Sequence, residues 1–335
     1  MKRLMVYSHD TYGLGNIRRM LSICSYLTDH MKDLSTLLIS SSPVIHSFYL
    51  PDRLDYLKLP CLTRSEEEGY SVKFLGTGIA EVMNLRSELI RAGIMNFKPD
   101  LFLVDKKPFG VKDELKASLN YLKRHLPKTK LILLLRDILD KPESTIRVWK
   151  KNKFHEAIQL YYDQIQVVGA SEVFDLRKEY QYPAAVSKMT HFCGYIAREP
   201  GRKGRRSLRN ELGIGKEKLV LVTPGGGADG YRLLDAYIDG IELIPNHVKS
   251  LVISGPEMPI EQQKHLSEAV ARYPSLEVCE FTDDMMSYME AADVVVSMGG
   301  YNTICEILTL RKRAVVVPRV KPVEEQWIRA ERMAR

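Results

Sequence analysis

The sequence is poor in the features that mark the special classes of protein. Its five cysteines, Cys24, Cys61, Cys193, Cys279 and Cys305, are odd in number, scattered, and never spaced as C-x-x-C. That excludes a disulfide framework or a zinc ribbon and predicts reduced thiols, hence a cytoplasmic chain. No run of about 18 apolar residues occurs, as a spanning helix would need. The apolar start after Lys2 and Arg3 is broken by His9 and Asp10, too early for a signal-peptide core. Any membrane contact is therefore peripheral, at the inner face. Aromatic residues make up 8% of the chain and do not interleave with basic ones into a stacking platform, so nucleic acid is not a predicted partner. Neither a complete G-x-G-x-x-G nor a G-K-[ST] phosphate loop is present.

What is present is ordinary globular composition. The chain has 335 residues, 45% hydrophobic and 27% charged, with 21 Gly and 16 Pro near usual levels. At roughly 150 residues per domain that length predicts two domains. Lys and Arg number 49 against 42 Asp and Glu, an excess of 7 that suits an anionic partner such as a phosphate ester.

Short apolar runs alternate with amphipathic stretches. Strands are predicted at Leu4–Ser8, Leu37–Ser41, Leu101–Asp105, Leu131–Leu135 and Gln164–Val168, with a helix from about Asn16 to His30. The pattern then restarts, with strands at Leu219–Thr223, Ser250–Ser254, Glu277–Phe281, Val294–Ser297 and Ala314–Pro318. Such alternation means parallel sheets covered by helices, an α/β fold of two Rossmann-like, doubly wound domains. Between the halves, REPGRKGRRSLR from Arg198 to Arg209 reads as an exposed linker. The predicted division is an N-terminal domain over 1–197, a basic linker over 198–212 and a C-terminal domain over 213–335. A final helix over Val323–Arg335 lacks a Gly or Asn cap, which suggests a sequence that continues. Met285, Met286 and Met289 read as helix core rather than a partner surface.

Five segments carry chemistry. Gly13-Leu14-Gly15-Asn16 follows the first strand, but Arg18 stands where a dinucleotide fingerprint needs its third Gly. It is either a tight turn or a substrate-facing loop. Thr223-Pro224-Gly225-Gly226-Gly227 also follows a strand, and three glycines there suit a nest of N–H groups for a diphosphate. In Ser297-Met298-Gly299-Gly300-Tyr301-Asn302-Thr303-Ile304-Cys305-Glu306 the glycines admit a ligand to a helix N-terminus, while Thr303 and Glu306, three apart, share one helix face. A carboxylate there suits two ribose hydroxyls; alternatively Glu306 is a solvated helix residue. Finally, Asp105 and Arg136 end two buried strands and open loops at the sheet edge where ligands bind.

The order of these segments, a Gly-rich N-terminal loop, a triple-Gly loop, GGYNTICE and then Pro318 followed by Glu325-Gln326, resembles the GT-B glycosyltransferases of family 28. The likeness is to their MurG-like branch, and most closely to an uncharacterised bacterial set opening with a Y-S-H-D-T-x-G-L-G-H type sequence. The resemblance covers essentially the whole chain, with specific motifs in the second half. It implies two domains facing a cleft and transfer of a hexosyl group, such as N-acetylglucosaminyl, from a UDP-sugar to a lipid-linked or carbohydrate acceptor by inverting displacement. It further implies no cofactor and no metal, the UDP-sugar being a co-substrate. Donor contacts would come from Arg198, Gly225, Gly226, Gly227, Gly300, Thr303, Glu306, Glu325 and Gln326, with Arg198 facing the phosphates unless it is one more linker cation. The acceptor side would include Gly13, Gly15, Asp105 and Arg136. Where the family has a His that assists deprotonation of the acceptor, this chain has Asn16, which cannot serve as a base. His9 and Asp10 are the substitute candidates. A nucleotide-sugar 2-epimerase and a non-catalytic nucleotide-sugar binder are the competing readings.

Overall fold

The computed structural model describes residues 1–10, 15–63 and 69–335, and the chain divides into two compact units, Met1–Tyr195 and Ile196–Arg335. Counts below refer to the described residues.

The first unit is built on β1 (Lys2–Tyr7), β2 (Leu34–Ser40), β3 (Leu54–Lys58), a short antiparallel pair β4 (Leu62–Thr63) and β5 (Ser71–Val72), then β6 (Leu101–Asp105), β7 (Lys130–Arg136), β8 (Gln164–Val168) and β9 (Thr190–Phe192). Seven of these form one parallel sheet in the order β3-β2-β1-β6-β7-β8-β9. LFLV in β6 and LILLL in β7 are near-continuous apolar runs because helices cover both faces of the sheet. The helix Gly15–His30 returns the chain from β1 to β2, burying Ile17, Met20, Leu21 and Cys24 at helical spacing. Strand order reverses between β1 and β6, which opens a crevice at their C-terminal ends.

The second unit repeats the plan with β10 (Lys218–Thr223), β11 (Val248–Ile253), β12 (Leu276–Cys279), β13 (Val294–Ser297) and β14 (Arg313–Val316), all parallel, in the order β12-β11-β10-β13-β14. Its switch point lies between β10 and β13. Because side chains alternate across a strand, Leu219 and Leu221 of β10 enter one core with Met285, Met289, Ile304 and Ile307. Val222 enters the other with Leu234, Ile238 and Leu266.

Several elements differ from the sequence reading. β3 is an edge strand whose LDYLK is broken by Asp55 and Lys58, and β9 has three residues, so neither offers an apolar run. The last helix is Glu325–Met333. The linker predicted over 198–212 is corrected: it contains the helix Arg205–Glu211, and Leu208, 1% exposed, enters the core of the second unit. Its cations are also engaged. Arg205 meets Asp293 at 2.8 Å, Arg209 meets Asp293 at 3.3 Å and the Glu217 carbonyl at 2.5 Å, Arg202 meets Asp283 at 2.5 Å, and Lys203 meets Glu211 at 2.6 Å. The segment is a clamp on its own unit.

Candidate functional site

In the second unit, the loops leaving β10, β11, β13 and β14 meet at the C-terminal edge of the sheet. After β10, Gly225 (φ +95°) and Gly227 (φ +98°) sit in the left-handed region that side chains rarely adopt. A Cβ on Gly227 would lie 2.5 Å from the Ser254 carbonyl oxygen, and one on Gly255 would lie 2.5 Å from that of Gly225. Backbone therefore packs on backbone, fastened by Glu257 N–H donating to the Gly226 carbonyl at 2.9 Å. On its other side the loop faces Thr303, whose Oγ1 lies 4.0 Å from where a Gly225 Cβ would be.

After β13 the chain turns at Gly299 (φ +77°), where a Cβ would strike Val316 at 2.7 Å. Gly300 instead has nothing within 4 Å of its Cβ position. It caps the helix Tyr301–Leu310 with no side-chain cap bond, the arrangement in which first-turn N–H groups suit an anion. Glu306 is 2% exposed, which corrects the solvated reading: its carboxylate lies inside the unit on the face that carries Thr303. Arg198 is likewise no stray linker cation. Its N–H donates to Thr309 Oγ1 at 3.1 Å and its Nη2 to Asn302 Oδ1 at 2.6 Å, which fastens the guanidinium to the first turn of that helix.

Glu325 and Gln326 are both buried at the start of the last helix. Gln326 Oε1 accepts from the Arg319 N–H at 3.2 Å, and the Arg319 guanidinium pairs with Asp229 in the loop after β10. The structure thus brings Gly225, Gly300, Thr303, Glu306 and Arg198 around one helix N-terminus, with Gln326 behind the Gly299 turn. The Asp229–Arg319 pair escaped sequence reasoning because its partners come from separate loops.

The first unit holds a buried polar cluster at the switch point between β1 and β6. Asp10 accepts from Ser8 Oγ at 2.7 Å and Ser40 Oγ at 2.5 Å. Burial pushes its carboxyl up to about 6, against those two hydroxyls, which lower it. His9 is fully buried, with its ring edge-on to Tyr7 at 6.4 Å. Asn16 donates to the His9 carbonyl at 2.5 Å and accepts from Arg19 at 3.2 Å, so it braces the end of β1. Asp105, expected on the acceptor side, is buried in an ion pair with Arg19 at 2.6 Å. Arg19 was missed, although a charged residue between Ile17 and Met20 on a buried helix face is a readable signal. Gly15 starts that helix on the surface, and Gly13 lies outside the described residues. Arg136 ends β7, half-buried, next to the buried Asp137, which accepts from Tyr195 Oη at 3.0 Å. Among the described residues no cluster of His, Cys, Asp or Glu is placed to hold a metal ion, and no helix is long and apolar enough to cross a membrane.

The glycosyltransferase family 28 C-terminal domain matches residues 219–331, which hold the loops after β10, β11 and β13. The UDP-N-acetylglucosamine–N-acetylmuramyl-(pentapeptide) pyrophosphoryl-undecaprenol N-acetylglucosamine transferase of Carboxydothermus hydrogenoformans is 29% identical over 120 residues, covering 34% of this chain and 30% of that protein. The corresponding Bacteroides fragilis transferase is 27% identical over 132 residues, 39% of this chain and 34% of that protein. The matched part thus spans about a third of these relatives' own length. Among solved structures, Acinetobacter baumannii MurG aligns with a TM-score of 0.58 at 13% identity over 100% of this chain and 83% of its own. Anabaena HepE, solved with UDP, aligns with a TM-score of 0.57 at 15% identity over 94% and 80%. By sequence, residues 219–331 match the glycosyltransferase family 28 C-terminal domain, and the fold of the chain is of the GT-B type.

Proposed function

We propose that this protein is an inverting glycosyltransferase that takes a hexosyl group from a UDP-sugar, with N-acetylglucosamine the sugar named for its curated relatives. One observation carries the reading: the family 28 match falls on the unit in which Gly225, Gly300, Thr303 and Glu306 converge on an uncapped helix N-terminus. In this reading the N–H groups of the glycine loops and the helix take the diphosphate, Glu306 takes the ribose hydroxyls, and Arg198 offsets charge building on the departing UDP. Glu325 and Gln326 take sugar hydroxyls. The proton acceptor is assigned to the His9–Asp10 pair at the end of β1, since Asn16 is occupied as a brace. The acceptor class proposed is a lipid-linked saccharide, on the names of the relatives.

The test is titration calorimetry with UDP and with uridine, followed by a transfer assay from UDP-N-acetylglucosamine. Glu306→Ala should weaken both ligands by about tenfold or more, tenfold being the value of one charge-assisted hydrogen bond. Unchanged affinity removes Glu306 from the ribose. His9→Ala should keep UDP affinity and abolish transfer; full activity in that variant removes His9 as the base. Isomerised sugar in the absence of any acceptor would point to an epimerase instead.

A further inference from the structure

A guanidinium lies sealed beneath the turn that carries the proposed donor site. Arg329, on the helix Glu325–Met333, is 0% exposed. Its Nη1 donates to the Gly299 carbonyl at 3.0 Å, and its guanidinium lies over the Tyr301 ring, 5.7 Å from the centroid. Removing such a group from water costs several kcal/mol unless geometry returns it, so its position is not incidental to the fold around it. The same helix presents its Gln326 carbonyl 4.0 Å from the Gly299 Cβ position, and Gln326 and Arg329, three apart, share one face.

The contact has a directional consequence. A trans peptide is planar, with its C=O and N–H pointing opposite ways. Holding the Gly299 carbonyl against Arg329 therefore turns the Gly300 N–H away from the guanidinium. A cation on the carbonyl also polarises that N–H into a better donor. The ring beneath the guanidinium belongs to Tyr301, the first residue of the helix, so one side chain fixes both the turn and the helix start.

We propose that Arg329 is a positioning residue for the donor diphosphate: by holding the Gly299 carbonyl and the Tyr301 ring, it aims the Gly300 N–H and the first turn of the helix Tyr301–Leu310 at the phosphates. The inference rests on the donor reading above and adds a role for a residue that touches no substrate. Its signature is selectivity among ligands. An arrangement that serves the diphosphate affects UDP and leaves uridine alone, whereas Glu306 affects both.

The experiment is calorimetry of the full chain with UDP and uridine, on the unmodified protein, Arg329→Met and Arg329→Lys. Arg329→Met keeps the apolar stem and should lower UDP affinity about tenfold while uridine affinity stays within about twofold. Arg329→Lys keeps the charge without the planar fork and should lie between. Should Arg329→Met fail to fold, the UDP to uridine ratio of Arg329→Lys decides. Parallel losses for both ligands, or an unchanged ratio, overturn the inference and leave the donor reading standing. Binding of neither ligand by the unmodified protein overturns both.

Discussion

Asp10 is a carboxyl that the fold makes a stronger base than an ordinary aspartate. Its folded value of about 6 lies above the ordinary 3.8 because burial penalises the charged form more than Ser40 and Ser8 stabilise it. Between those values the folded state binds more protons than the unfolded state, so stability falls as pH rises. The contribution is fully present below about pH 4, declines through pH 6 and is flat above. Two pKa units amount to about 3 kcal/mol. Asp10→Asn keeps the shape without the charge, and its stability in urea should lose that slope: close to the parent at pH 4, more stable at pH 7. An identical slope in the two proteins would show that the proton is not held at Asp10. The identity of this residue was plain in the sequence; its environment was not, since Ser40 reaches it from another strand. The same holds for Asn16, whose amide has no role until the His9 carbonyl and Arg19 are set beside it.

The loops at strand ends show how far local pattern reaches. Three consecutive glycines after an apolar run mark a special loop, and in the structure Gly227 and Gly255 meet there backbone to backbone. Pattern alone does not separate a glycine the fold needs from one it does not, and the structure does so for Gly299 and Gly300. Gly299→Ala meets both a positive φ and Val316, and should cost about 1–3 kcal/mol of stability. Gly300→Ala, at φ −58° with open space around its Cβ, should leave the melting temperature unchanged and weaken UDP binding. Thermal melts and calorimetry on the two variants check the contrast. A Gly300→Ala protein that binds UDP normally would remove that glycine from the site. The strands β6, β8 and β13 were legible to the residue. The helix Arg205–Glu211 was hidden because one apolar residue, Leu208, carries its burial, while its arginines read as solvated until Asp293 and nearby carbonyls are brought to them.

The whole molecule comprises two units, each with its own sheet. Calorimetric unfolding should therefore depart from a single two-state transition. UDP in excess should raise the transition of Ile196–Arg335 by mass action and leave that of Met1–Tyr195 in place. Equal shifts of both transitions would mean the nucleotide is held by both units. By itself the sequence determined the α/β alternation, the pairing of glycine loops with strand ends and the split into two units, because burial periodicity and turn chemistry are local. Only the tertiary structure decided what the polar groups do. Arg19 and Asp105 are 86 residues apart, Arg198 and Asn302 are 104 apart, and Arg329 reaches Gly299 across 30. A charged side chain in a sequence is neutral evidence until burial raises the cost of leaving it alone, and burial is set by the packing of distant elements.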